Sequence, residues 1–291
     1  MKALEKLSPC KVNLLLNILG RRPDGFHALE TLFHPVKFCD RLVFTRGASA
    51  IELTCTDPSL PTDANNLVHR AAAAFFGAAK IREGVQIHLE KHIPLAAGLG
   101  GGSGNAATTL LGLNELFGQP LPAGKLGELA AGLGSDINFF LQEQPALATG
   151  RGEIVESLAP FPVLRGASFF LIHPGFGIST PWAFQNLARF PSAQNGTPGR
   201  AQRLIELLKA GDLAGAGREF YNSLEAPALH KYPVLALYQE FLRTHGAVAA
   251  LMSGSGSTTF ALVRGQVAGE KLAEVFKAKF GRVCWTAVVP I

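Results

Sequence analysis

Apolar residues recur along this chain in two rhythms. Val12–Leu19 is almost continuously apolar, broken by Asn13 and Asn17, and reads as a buried strand. Arg21-Arg22-Pro23-Asp24-Gly25 then forms a turn signal. Leu32–Phe44 and Ile51–Thr56 read as further strands, the second alternating Ile51, Leu53 and Cys55 with Glu52, Thr54 and Thr56. In Ala64–Lys80 the period changes: Leu67, Ala71, Ala74, Phe75 and Ala78 share one helical face. Val85–Lys91 alternates again, as a strand. Asn105–Phe117 and Leu126–Leu133 read as helices, and Gly134-Ser135-Asp136 opens another over Ile137–Leu141. Pro160 and Pro162 interrupt the pattern and predict a boundary between domains 1–158 and 159–291. Beyond it come a strand (Ala167–His173), a mostly helical region (181–245) with a looser Pro191–Arg200, and a strand at Val248–Met252. The serine–glycine turn Ser253–Ser257, a strand (Thr258–Val263), a helix (Val267–Phe280) and a strand (Val283–Val289) complete the chain. The class is α+β, with mixed sheets and helices in two domains.

Composition narrows the function. Apolar residues make up 47% of the 291 and charged residues 17%, which supports a sizeable core and excludes a disordered chain. Cys10, Cys39, Cys55 and Cys284 show neither CxxC nor zinc spacing and read as reduced thiols. Met1–Lys6 lacks the apolar stretch of a signal peptide, and no apolar run reaches the length of a membrane span. The cytoplasm is the expected location, with no membrane partner. The net charge of +5 suits a protein that handles phosphorylated ligands. Nucleic acid is not an expected partner, because no dense Lys/Arg run or interleaved base-stacking aromatics accompany that charge.

The densest chemical signal is Pro94-Leu95-Ala96-Ala97-Gly98-Leu99-Gly100-Gly101-Gly102-Ser103-Gly104, between a strand and a helix. Glycines let backbone N–H groups turn toward an anion, and the helix start behind them adds unpaired donors. Ser103 offers a hydroxyl to phosphate or to a metal ion. No lysine follows the glycines, so this is not a Walker A loop, and Gly102-x-Gly104 lies too far from the preceding strand for a dinucleotide fingerprint.

Pro-x-x-x-Gly-Leu-Gly-x-x-Ser resembles the phosphate motif of the GHMP small-molecule kinases. The similarity extends over nearly the whole chain, through Ser8–Leu14, Arg22–His27, Asp63–Leu67, Gly134-Ser135-Asp136, Ala148–Glu153, His173-Pro174-Gly175 and Ser253–Ser257. The resemblance implies a ribosomal S5 domain 2-like N-terminal domain and a ferredoxin-like C-terminal domain. It implies ATP and Mg²⁺ as cofactors, with no metal ligand visible in the sequence, and a monomer or weak homodimer. It further implies an acceptor of the cytidine diphosphate-linked methylerythritol class, phosphorylated on its 2-hydroxyl in non-mevalonate isoprenoid synthesis.

Residue by residue, the resemblance makes Asp136 the base and Lys11 its cationic partner. From the residues alone, Asp136 fits a helix N-cap equally well, and Lys11 fits a snorkelling strand lysine. Asn13, Phe26, His27, Thr180 and Phe184 carry over to the acceptor, with Phe26 and Phe184 as stacking faces for a cytosine; Phe184 also fits a helix core. Asn66 and Lys91 carry over to the nucleotide, where Asn66 fits a helix cap and Lys91 a solvated strand end. The Ser253–Ser257 turn fits either a phosphate-side wall or a close-approach turn. Three positions depart from the family pattern: Phe26 replaces a tyrosine, Asn138 a proline and Gly104 a serine. Homoserine or mevalonate as acceptor is the rival reading within the same family.

Overall fold

The computed structural model describes residues 3–291. The chain forms two compact units, neither continuous in sequence. The first holds the segments up to Cys10, Phe38–Ile93 and Gly100–Glu143; the second holds Lys11–Lys37, Pro94–Leu99 and Gln144–Ile291. The long strands β1 (Ala3–Arg21) and β2 (His27–Arg46) each contribute one end to either unit. The prolines near 160 introduce a short 3₁₀ turn, Pro162–Leu164, that lies within the second unit.

In the first unit, β3 (Ile51–Cys55) pairs in parallel with β4 (Val85–Glu90), which pairs antiparallel with β2 from Arg41↔Glu90 to Arg46↔Val85. Val85, Ile87 and Leu89 are buried and Gln86 and His88 exposed, the alternation of a sheet with one wet face. Helices α1 (Leu67–Ala79), α2 (Gly101–Leu116) and α3 (Ala123–Leu133) pack with one another. Phe75, Phe76 and Phe117 form a tilted and edge-on aromatic cluster. Gly112 of α2 is required by packing, since a Cβ there would stand 2.7 Å from the Phe44 ring.

In the second unit, β1 pairs in parallel with β8 (Tyr221–Asn222), and β2 pairs antiparallel with β5 (Ala146–Thr149), which forms a hairpin with β6 (Ile154–Ser157). That hairpin is absent from the sequence reading: four-residue strands are too short to display a period. The other sheet contains β7 (Ser168–His173), β9 (Ala249–Met252), β10 (Thr259–Val263) and β11 (Trp285–Pro290), in the order β11-β7-β10-β9 and antiparallel throughout. This is the expected ferredoxin-like order. β7, β9 and β10 are buried at every position, as in a sheet covered on both faces. Helices α4 (Thr180–Leu187), α5 (Pro191–Gln194), α6 (Arg200–Ala210), α7 (Leu213–Glu219), α8 (Glu225–Lys231), α9 (Pro233–Thr244) and α10 (Gln266–Phe280) complete the unit. Among the described residues, no helix is long and apolar enough to cross a membrane.

Candidate active site

The glycine segment is shorter as a loop than its sequence predicts. Helix α2 begins at Gly101, not Asn105, so Gly101, Gly102, Ser103 and Gly104 form its first turn. Its cap residue, Gly100, has a left-handed φ of 71° and no side chain with which to satisfy the first amides. The first helical bond runs from Gly104 N to Gly100 O at 2.8 Å, leaving the amides of residues 101–103 without an intrahelical acceptor. Such a start favours phosphate oxygens by geometry and dipole. Gly104 is set by contact: a Cβ there would lie 2.7 Å from Pro9 O and 3.1 Å from Ser8 Oγ, so a serine has no room at this position.

The same helix start rests on a buried ionic cluster. Asp40 is fully buried; it pairs with Lys91 Nζ and accepts from His92 N (2.7 Å), Ile93 N (2.8 Å) and Asn105 Nδ2 (2.9 Å). Asn105 also donates to Ser8 Oγ at 3.0 Å. Lys91, with 5% of its side chain exposed, is therefore not a solvated strand end. A Cβ on Gly101 would stand 3.1 Å from its ammonium, which places that charge at the first turn of α2. Sequence reasoning did not single out Asp40, because a lone aspartate in an apolar strand carries no spacing signal. Asn66 caps α1: its Oδ1 accepts from Val68 N at 2.9 Å, and its Nδ2 donates to Pro61 O at 2.7 Å.

The earlier part of the glycine segment belongs to the second unit, with Lys11. Lys11 is 3% exposed. Its ammonium donates to Asn13 Oδ1 at 2.5 Å and to Gly98 O at 3.0 Å, and stands 5.3 Å from the centre of the Phe33 ring. Asn13 in turn donates to Thr31 Oγ1 at 2.8 Å, so its amide orients the lysine. An ammonium buried this deeply and donating to an amide oxygen and a backbone carbonyl is not a snorkelling surface lysine. The Ser253–Ser257 turn packs directly on this group. Ser253 Oγ donates to Gly98 O at 2.9 Å and Thr258 N to Ala97 O at 3.1 Å. At Gly98, with φ 75°, a Cβ would fall 2.0 Å from Ser253 O, so only glycine fits.

Asp136 lies in the first unit, half-buried, in the turn after α3. The short 3₁₀ helix that follows, Asn138–Leu141, has Ile137 at its cap position and no side-chain cap hydrogen bond.

The acceptor candidates are in the second unit. Phe26 is 55% exposed, with the Arg151 guanidinium 4.8 Å from its ring centre. His27 lies 5.2 Å from Phe184, tilted by 37°, so the structure brings Phe184 to the histidine. Burial, helped by Arg21, lowers the His27 pKa and favours the neutral ring, with one donor and one acceptor nitrogen. Thr180 Oγ1 shares a 2.8 Å hydrogen bond with Ser255 Oγ, linking the start of α4 to the serine–glycine turn.

Residues 66–144 match the GHMP kinases N terminal domain, and residues 204–282 the GHMP kinases C terminal domain. A 4-diphosphocytidyl-2-C-methyl-D-erythritol kinase of Synechococcus sp. (strain JA-3-3Ab) is 40% identical over 90% of this chain and 86% of its own. That of Syntrophotalea carbinolica is 38% identical over 94% of this chain and 95% of its own. The crystal structure of a 4-(cytidine 5'-diphospho)-2C-methyl-D-erythritol kinase superposes with a TM-score of 0.82, at 36% identity, covering 99% of this chain and 100% of that one. Homoserine kinase from Cytophaga hutchinsonii, 21% identical with a TM-score of 0.76 over 100% of this chain and 95% of its own, shares the fold. With both domains matched and such relatives aligned along nearly its full length, this chain belongs to the GHMP kinases, in the family of 4-diphosphocytidyl-2-C-methyl-D-erythritol kinases.

Proposed function

We propose that this enzyme transfers the terminal phosphoryl group of ATP to the 2-hydroxyl of 4-diphosphocytidyl-2-C-methyl-D-erythritol, in the cytoplasm. The observation that carries the reading is the buried Lys11 ammonium on the carbonyl of Gly98, in a segment that continues into an uncapped helix start. Phosphoryl transfer to an alcohol needs positioning, neutralisation of charge and a destination for the proton. Residues 94–104, with Asn66 and Lys91, would hold the nucleotide. Asp136 would take the hydroxyl proton, and Lys11 would stabilise the charge that develops. Support for Asp136 comes from the Gly134-Ser135-Asp136 motif. Asn13, Phe26, His27, Thr180 and Phe184 would hold the acceptor, with the neutral His27 ring presenting one donor and one acceptor to the base edge. Residues 1–158 and 159–291 would be the two domains of the fold.

Mg²⁺ would arrive on the phosphates of ATP and supply charge neutralisation. The oxygen and backbone N–H donors of the first turn of α2 suit that cargo, with Ser103 the hydroxyl within it.

The test is a panel of acceptors. Purified enzyme, ATP and Mg²⁺ are incubated with the cytidyl acceptor, homoserine or mevalonate, and ³¹P NMR follows the new phosphomonoester. Turnover of the cytidyl acceptor alone is expected. Phosphorylation of homoserine without the cytidyl compound overturns the reading.

A further inference from the structure

The Ser253–Ser257 turn alternates serine and glycine, residues that prefer no single backbone shape. Its shape must therefore be imposed from outside. Asn222, at the end of β8 and 2% exposed, does so. Its Nδ2 group has two hydrogens and uses both, donating to Met252 O at 2.8 Å and to Gly254 O at 2.7 Å. Its Oδ1 accepts from Leu224 N at 2.9 Å, which locks the amide's orientation. The two carbonyls flank Ser253, so Asn222 brackets that residue from below.

The bracket rests on the strand that carries Lys11. Asn222 is in register with Leu16 of β1. The next residue, Ser223, donates its N–H to Leu16 O at 2.8 Å and accepts from Ile18 N at 2.9 Å. A second anchor comes from α8, where Glu225 Oε1 accepts from Met252 N at 2.7 Å and from Gln239 Nε2 at 2.6 Å. At the other end, Ser253 Oγ and Lys11 Nζ both donate to Gly98 O, at 2.9 and 3.0 Å. Gly254 has a φ of 56°, and a Cβ on it would stand 3.1 Å from the ammonium. The turn is one wall of the Lys11 site.

We infer that Asn222 is a positioning residue for the Lys11 ammonium, acting through Ser253 and the shared carbonyl of Gly98; this rests on the kinase reading above. Without the bracket, Met252 O and Gly254 O lose their donor and Ser253 loses its aim. Lys11 is then held by fewer fixed partners during transfer.

The experiment is a double-mutant cycle on turnover, using Asn222→Ala, Ser253→Ala and the double variant, with Asn222→Asp as the near-isosteric control that lacks the amide hydrogens. The expected loss in kcat for Asn222→Ala is about tenfold or more, with both KM values within about twofold of wild type. Asn222→Asp should lose as much, and the double variant no more than the worse single variant. A merely structural asparagine predicts losses that multiply, or a change confined to KM, and either overturns the inference. Should Asn222→Ala fail to fold, Ser253→Ala decides the matter: a kcat loss supports the chain of contacts, and wild-type kcat breaks it. If wild-type enzyme ignores the cytidyl acceptor, the assigned substrate has failed. The cycle is then run on whichever alcohol it phosphorylates, so the two failures are read apart.

Discussion

Lys11 shows how a charge is held inside a protein. Burying an ammonium is unfavourable unless oxygens replace its water. Here the Asn13 amide oxygen and the Gly98 carbonyl are among the oxygens that do so. Lys11→Ala is expected to lower kcat by about 10²–10³-fold while ATP binding persists, as read by steady-state kinetics and calorimetry. Asp136→Asn should abolish turnover and leave nucleotide binding nearly intact; near-normal turnover would remove it as the base. Gly98 offers a stability test beside an internal control. Gly98→Ala brings a Cβ to 2.0 Å from a backbone oxygen at φ 75°, whereas Gly118→Ala, at φ 82°, meets open space. The Gly118 variant should lose about 1 kcal/mol from its dihedral alone, and the Gly98 variant clearly more. Equal urea midpoints for the two would show that the contact has no energetic weight.

Helix α2 is held by what lies around its first turn. Its glycines admit Pro9 and the Lys91 ammonium, and Asn105 ties it to Asp40. Asp40 also takes the N–H groups of His92 and Ile93, so a single carboxylate joins the end of β4 to the start of α2. Removing one partner of a buried pair strands the other. Asp40→Ala is therefore expected to cost about 3–5 kcal/mol in chemical denaturation and to raise KM for ATP. Glu274→Ala, which breaks an exposed pair with Lys277, should change stability by roughly 0.5 kcal/mol or less. Comparable losses in the two variants would refute the distinction.

The folded chain as a whole should register pH through Glu225. Burial pushes its carboxyl from 4.5 up to about 7, against hydrogen bonds from Met252 N and Gln239 and the charge of Arg243 on α9, which pull it down. The folded state thus holds this proton more tightly than the unfolded chain. Its contribution to stability is complete below about 4.5 and is lost as pH rises toward 7. Stability measured by urea unfolding should fall over that window by roughly 2–3 kcal/mol through this group alone. Glu225→Gln should flatten the profile, and superimposable profiles for the two proteins would refute the shift.

Much of this protein was legible before any coordinates. Apolar periodicity located most of the strands and helices, because burial of one face is a local demand repeated along the chain. The separated motifs identified the family and directed attention to Lys11 and Asp136. Chemistry that depends on distant residues was not legible. Gly104 looked like a lost hydroxyl and proved to be the residue that Pro9 O permits. Lys91 looked like a strand-end charge and proved to be half of a buried pair with Asp40. Asn222 showed no signal, since its three hydrogen bonds go to backbone groups, which every residue type presents alike. Local order follows from the rhythm of side chains, but the placement of Ser253 and Lys11 on one carbonyl required the tertiary fold. Only there do residues 11, 98, 222 and 253 become neighbours.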